Sequence, residues 1–224
     1  MISVIIPILN EARIADFVAA VKAALRGRPH EILLVNDGAS VSVEGTREVV
    51  GARRGKGAAV RQGLLASKGD VVVVVDADLA ALLPQLPRFI DLVARERYDV
   101  VIAEREHEVK ERTLLRYALS YGLLLAQRLF IFQSLRFRDT QCGFKAFRGD
   151  AARAIAKRQG IDGGMYDIEY LYAAARNKLR IAQVPVGRVA EERPSRIKLL
   201  DCLRRDPPAL LKVKWRGITG KYRL

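Results

Sequence analysis

Hydrophobic residues along this chain gather into short unbroken runs, separated by stretches where they recur every three or four positions. The runs Ile2–Ile6, Glu31–Val35, Val71–Val75 and Asp99–Ala103 show no polar alternation. Such runs predict strands covered on both faces, as at the centre of a mostly parallel sheet. Between the first two, Ile14, Phe17, Val18, Val21 and Leu25 fall at helical spacing. Pro7 is expected to end the first strand and Asn10 to cap this helix, with Glu11 in its positive first turn. A second helix opens at Arg53-Arg54-Gly55-Lys56-Gly57 and runs to about Ser67, where Lys68-Gly69 closes it. A third spans roughly Pro84 to Glu96. Strand and helix alternate, so the pattern predicts an α/β fold with right-handed crossovers.

Beyond Arg112 the pattern changes. Leu114–Leu135 reads as a long helix, apolar on most faces but carrying Arg116, Gln127 and Arg128. Gly143–Phe147 predicts a short strand, Gly149–Arg158 and Tyr166–Asn177 two helices, and Arg180–Val186 a last strand stopping around Pro185. From Ser195 the tail is helical in pattern, broken at Pro207-Pro208. No stretch is long, apolar and charge-free enough for a membrane span. The chain starts directly on a strand-like run, which leaves no room for a signal peptide.

Composition adds size and polarity to this outline. At 224 residues and 50% hydrophobic, the chain can form one sizeable α/β domain without disulfides. Its two cysteines, Cys142 and Cys202, lack metal-site spacing and fit a reducing compartment. Net charge is +14, and from Arg176 onward 14 Lys/Arg face only 4 Asp/Glu. We therefore expect one domain over residues 1–190 and a basic C-terminal segment over 191–224 that is not an independent domain. A block of this kind suits a phosphorylated substrate or an anionic membrane surface. Nucleic acid is not expected, because the basic residues are not interleaved with exposed aromatics and no reading motif appears.

The chemistry concentrates where strands end. Five valines run into Asp76-Ala77-Asp78, placing two carboxylates at the carboxyl end of a buried strand, where open α/β sheets bind ligands. Carboxylates there need a cation, a donor-rich ligand or water. A hard divalent ion shared with a diphosphate fits best. Loops Pro7–Glu11 and Asn36–Ser40 should lie along the same edge, offering Asn, Asp and Glu to a base and ribose. Rival motifs fail. Gly51–Gly57 is one residue short of a P-loop and lacks Ser/Thr after Lys56, and Gly55–Val60 lacks the third glycine of a dinucleotide fingerprint. An aspartyl phosphatase would carry Thr or Val where Ala80 stands.

Taken in order, several segments resemble the inverting family 2 glycosyltransferases, which have a GT-A fold. They are Ser3–Glu11, Glu31–Gly38, Gly55–Gly63 and Val75-Asp76-Ala77-Asp78-Leu79. The second half, with Arg138-Asp139-Thr140-Gln141-Cys142-Gly143-Phe144-Lys145, Tyr166–Leu171 and Ile181–Val186, is similar to dolichyl-phosphate glucosyltransferases and their polyprenyl-phosphate relatives. The resemblance implies that Pro7, Asn10, Glu11, Asn36 and Asp37 line the nucleotide site, although the family usually has Asp in place of Asn36. It puts Lys56 beside the nucleotide, Asp76 near ribose and metal, and Asp78 as a ligand of Mg²⁺ or Mn²⁺. Arg105 matches the Arg of a Gly-Ser-Arg motif, here Ala103-Glu104-Arg105, and Asp139 lies near the acceptor. The late Gly-Ser-Lys element is here Arg193-Pro194-Ser195-Arg196-Ile197-Lys198, its glycine lost.

The expected activity is metal-dependent transfer of a hexose, glucose from UDP-glucose, to a dolichyl or polyprenyl phosphate at the cytoplasmic face of a membrane. Alternatives are a GDP-mannose donor, a soluble saccharide acceptor, or a nucleotide-sugar binder without turnover. Two anionic substrates must meet, so cations are required, and Arg193, Arg196 and Lys198 are candidates for the acceptor phosphate. Asp139 can serve as a base, orient the acceptor, or simply pair with Arg136 or Arg138. Asp167 and Glu169 can be catalytic or can hold the packing. Leu114–Leu135 can lie in the membrane interface or be an ordinary buried helix.

Overall fold

The computed structural model describes residues 1–106, 122, 125, 127–132, 137–187 and 199–224, with the backbone alone for 127, 128 and 199–204. The expected phosphate-binding residues Arg193, Arg196 and Lys198 lie outside the described residues. So does most of the expected helix Leu114–Leu135, of which Gln127–Phe132 is seen as a π-helical turn.

Seven strands form one sheet: β1 Ile2–Ile8, β2 His30–Asn36, β3 Arg47–Val50, β4 Val71–Val75, β5 Val100–Arg105, β6 Phe144–Arg148 and β7 Ile181–Gly187, in the order β3-β2-β1-β4-β6-β5-β7. Only β6 runs antiparallel, pairing Val75 with Phe144 on one side and Ile102 with Lys145 on the other. It lies between β4 and β5 and pairs with both. Helices α1 Ile14–Ala24 and α3 Leu86–Ala94 cover one face. The other face carries α2 Lys56–Ala66, α4 Gly149–Arg158, α5 Tyr166–Arg176 and α6 Leu199–Ile218. The valine run shows why the sheet sits between two cores. Val72 and Val74 point into the α2 side and Val71, Val73 and Val75 into the α1 side, so every residue of β4 is buried.

Several expectations are corrected. β1 does not stop at Pro7 but continues to Ile8, pairing Pro7 with Val35. Pairing of β1 with β4 ends at Ile5↔Val74, so the missing proline N–H is of no cost there. Asn10 caps no helix: α1 begins at Ile14, Arg13 occupies its cap position, and Asn10 stands in the left-handed region at φ 55°. Pro185 lies within β7, an edge strand, where proline is tolerated. α6 runs through Pro207 and Pro208 without a break. Tertiary anchoring overrides propensity there, because Leu210 and Val213 are buried just after the prolines. Strand β3 escaped the pattern altogether; two exposed and two half-buried residues on an edge carry no apolar period.

Candidate active site

Parallel strands β1, β2 and β4 end on one edge, and their loops meet there. The β2 loop is held by its own side chains. Asn36 is buried, donating to the Ala39 carbonyl (2.5 Å) and to Glu48 Oε1 (2.7 Å) while accepting from the Gly38 N–H (2.8 Å). Its polar atoms are thus engaged within the loop, and its role is to shape this wall of the crevice. Asp37 accepts the Arg53 N–H at 2.8 Å, tying the β2 loop to the segment that opens α2. Asn10, in its left-handed turn, accepts the Ala39 N–H at 3.4 Å, so the first loop leans on the second.

At the end of β4 the two carboxylates part company. Asp76 forms an ion pair with Lys56 through Oδ2. Its other oxygen, Oδ1, is buried and has no hydrogen-bond partner among the described residues. An anionic oxygen left so is costly, and a cation, a donor-rich ligand or water would satisfy it. Asp78 is exposed on the following turn. Desolvation, then the charge of Asp76 and more weakly of Glu11, raise its proton affinity above the ordinary carboxylate, with Lys56 opposing. Desolvation would pull the Lys56 ammonium down, but Asp76, Asp167 and Asp78 outweigh it and hold the group charged. No trio of His, Cys, Asp or Glu among the described residues is grouped to hold a metal. A divalent ion at Asp76 and Asp78 would therefore complete its shell with water and phosphate oxygens, as Mg²⁺ usually does.

The far wall comes from the chain leading into β6. The Asp76 N–H donates to the Gly143 carbonyl (3.1 Å), and Gly143 lies so close that a Cβ there would stand 1.7 Å from Asp76 Oδ2. Lys145 occupies a β6 position whose neighbours on that face, Val72, Val74 and Phe147, are all apolar. Its buried ammonium is compensated by Asp167 Oδ1 at 2.6 Å and by the Cys142 carbonyl. Burial raises the Asp167 proton affinity, while Lys145 and Lys56 pull the other way. Asp167 thus belongs to the charge cluster of the site. Glu169, two residues on, does not: it accepts the Gly160 and Ile161 N–H groups (2.8 and 2.9 Å) and the Tyr222 hydroxyl (2.6 Å) in the core.

Asp139 is almost fully buried and pairs with Arg105; of the partners expected for it, Arg136 lies outside the described residues. Arg105 donates through Nε (2.7 Å), Nη2 (3.3 Å) and its backbone N–H (3.3 Å), and Gln141 N–H adds a fourth bond at 3.0 Å. Burial would raise its proton affinity, yet the Arg105 bonds and charge hold the carboxyl below the usual range. Arg138 instead approaches Glu104 at 3.5 Å. Of the residues expected from the sequence, Asn10, Asp37, Lys56, Asp76 and Asp78 line one edge, and Arg105 with Asp139 flanks it. Pro7 sits within β1 as backbone support. Lys145 and Gly143 went unnoticed as site residues. Only the polar Lys145 inside an otherwise apolar run, Phe144–Phe147, signalled a buried charge.

With this geometry in hand, the relatives are informative. The chain belongs to glycosyl transferase family 2, whose model matches residues 3–155. It is 29% identical over 223 residues to the dolichyl-phosphate beta-glucosyltransferase of Saccharomyces cerevisiae, a match covering 83% of this chain and 66% of that protein. The protein of the same description from Drosophila melanogaster is 32% identical over 216 residues, again covering 83% and 66%. The chain thus spans no more than 66% of the length of these relatives. Among solved structures, glucosyl-3-phosphoglycerate synthase from Mycobacterium tuberculosis, in complex with Mn²⁺, UDP-glucose and phosphoglyceric acid, superimposes with a TM-score of 0.71 at 23% identity. The match covers 96% of this chain and 79% of that one. The fold is of the GT-A type.

Proposed function

We propose that this protein transfers a hexose, glucose from UDP-glucose, to a dolichyl or polyprenyl phosphate with inversion at the anomeric carbon. The observation that carries the reading is Asp76, whose buried Oδ1 has no hydrogen-bond partner among the described residues at the end of β4, beside Asp78, in a chain of this family. Names of the relatives supply the donor and acceptor classes. Asp76 and Asp78 would hold Mg²⁺ or Mn²⁺, which supplies Lewis-acid neutralisation of a departing diphosphate. The chain's own residues do the rest. Lys56 keeps a positive charge at the mouth of α2, suited to a diphosphate oxygen. The β1 and β2 loops, braced on each other through Asn10, form the wall against which base and ribose rest.

The acceptor needs no strong base. A phosphate monoester has a second pKa of about 6, so near neutrality it is already largely a dianionic nucleophile. Asp139 suits that chemistry: with both oxygens engaged and its proton affinity depressed, it is a poor proton acceptor. We assign it to positioning Arg105, whose side chain remains partly exposed. The test is transfer of labelled glucose from UDP-glucose to a polyprenyl phosphate in Mn²⁺. Asp78→Ala should lower the rate by at least about a hundredfold. Full activity in that variant, or equal transfer in the presence of a chelator, would overturn the metal assignment. Transfer from GDP-mannose, or to a free saccharide, would overturn the donor or the acceptor.

A further inference from the structure

On the far side of the α2 layer, α6 shows two faces. Leu210, Val213 and Gly217 turn inward, with Gly217 packed so tightly on Tyr172 that a Cβ would meet its ring at 2.3 Å. Leu211, Trp215 and Ile218 follow i, i+4, i+7 spacing on the outward face and are 60, 67 and 65% exposed. The apolar surface extends onto the π-helical turn, where Leu129 and Phe130 are 55 and 45% exposed. Lys214 joins the two parts, its Nζ lying 5.8 Å from the centre of the Phe130 ring. Single exposed apolar side chains are ordinary on a protein surface, but a contiguous stripe marks a contact.

Charge identifies the partner. From Pro207 to Leu224 the sequence holds Lys212, Lys214, Arg216, Lys221 and Arg223 and no Asp or Glu. The acid nearest in sequence, Asp206, is half-buried. An aliphatic stripe with one indole at its middle, flanked by Lys212 and Lys214 on a helix whose residues from Pro207 onward include no acid, is the composition of a helix lying in a bilayer interface. We infer that the outward face of α6, with Leu129 and Phe130, docks on an anionic lipid surface. This deepens the reading of the acceptor as a membrane lipid and shares with it only the need for a bilayer. Exposure of Trp215 between Lys214 and Arg216 also corrects the sequence argument that basic residues here lack exposed aromatics. Single-stranded nucleic acid is nevertheless disfavoured, since Leu211 and Ile218 offer no flat ring for a base to stack on.

Trp215 is the chain's single tryptophan, so its fluorescence reports on this face directly. The full chain is titrated with phosphatidylglycerol–phosphatidylcholine vesicles and with pure phosphatidylcholine vesicles. We expect a blue shift and quenching by bromine-labelled acyl chains with the anionic vesicles, at least about tenfold tighter than with neutral ones and weakened by salt. The double variant Leu211→Ser/Ile218→Ser should lose vesicle binding by about tenfold or more. It should keep its turnover on a short-chain polyprenyl phosphate dissolved in detergent. An unshifted Trp215 with anionic vesicles overturns the inference, as do equal shifts on neutral vesicles. So does a shift produced by self-association or by an oligonucleotide in the absence of lipid. Vesicle binding without any glucose transfer would leave this inference standing and remove the proposed activity instead.

Discussion

Gly143 shows how narrow the tolerance at a single position can be. The Asp-x-Asp pair was legible in the sequence because a five-valine run makes the strand end unmistakable. The need for glycine opposite it was not, since nothing local announces that another backbone will come within van der Waals range. Gly143→Ala would set a methyl group 1.7 Å from Asp76 Oδ2, so the carboxylate must move. We expect that variant to fold, by circular dichroism, yet to lose thermal stabilisation by UDP-glucose with Mn²⁺. Retained stabilisation would show that Asp76 is free to shift. The Arg105–Asp139 pair was half legible: both residues were singled out, but their pairing depends on β5 and the 137–143 segment ending side by side. Because its folded pKa is depressed, the Asp139 contribution is complete above the ordinary carboxylate pKa of about 4 and fades as pH falls through the lower folded value. Arg105→Met removes the guanidinium bonds from a buried carboxylate and should cost about 3–5 kcal/mol at neutral pH. Urea titrations should show that deficit shrinking near pH 3, where protonation relieves Asp139; a pH-independent deficit would mean lost packing alone.

Among the elements, those buried on one or both faces could be read from their apolar spacing. α4 begins and ends where expected, at Gly149 and Arg158. The failures are equally physical. Edge strand β3 has little to bury, the turn at Asn10 is decided by contact with the β2 loop, and α6 keeps its course through two prolines because of what it packs on. Glu169 makes that last point concrete. It accepts the Tyr222 hydroxyl, and Arg216 approaches it at 3.5 Å, so α5 grips both the helix and the segment beyond it. Tyr222→Phe removes one hydrogen bond to a buried carboxylate and should destabilise the fold by about 1.5–3 kcal/mol. Chemical denaturation would measure it, and a change within error would show that water replaces the hydroxyl.

For the molecule as a whole, the sheet joins two cores that share every strand of its centre, and α6 contributes Leu210 and Val213 to one of them. We propose on that basis that the C-terminal helix unfolds with the sheet rather than before it. Hydrogen exchange should then give amides of residues 209–217 protection comparable to β1 and β4; exchange faster by orders of magnitude would make the helix a separate unit. Fold class was readable at this scale because alternating strands and helices permit few layouts. Insertion of antiparallel β6 between β4 and β5 was not, for strand order depends on long-range pairing that no local pattern encodes.

One consequence of that inserted strand reaches past this chain. The chain leaves the sheet at Arg105, the end of β5, and Asp139 stands just ahead of β6; the ion pair between these two residues ties the two points together like a drawstring. Closing a loop at its neck makes added length inexpensive, since entropy grows only with the logarithm of size. A change of length between these two residues would then leave the edge formed by the β1, β2 and β4 loops in place.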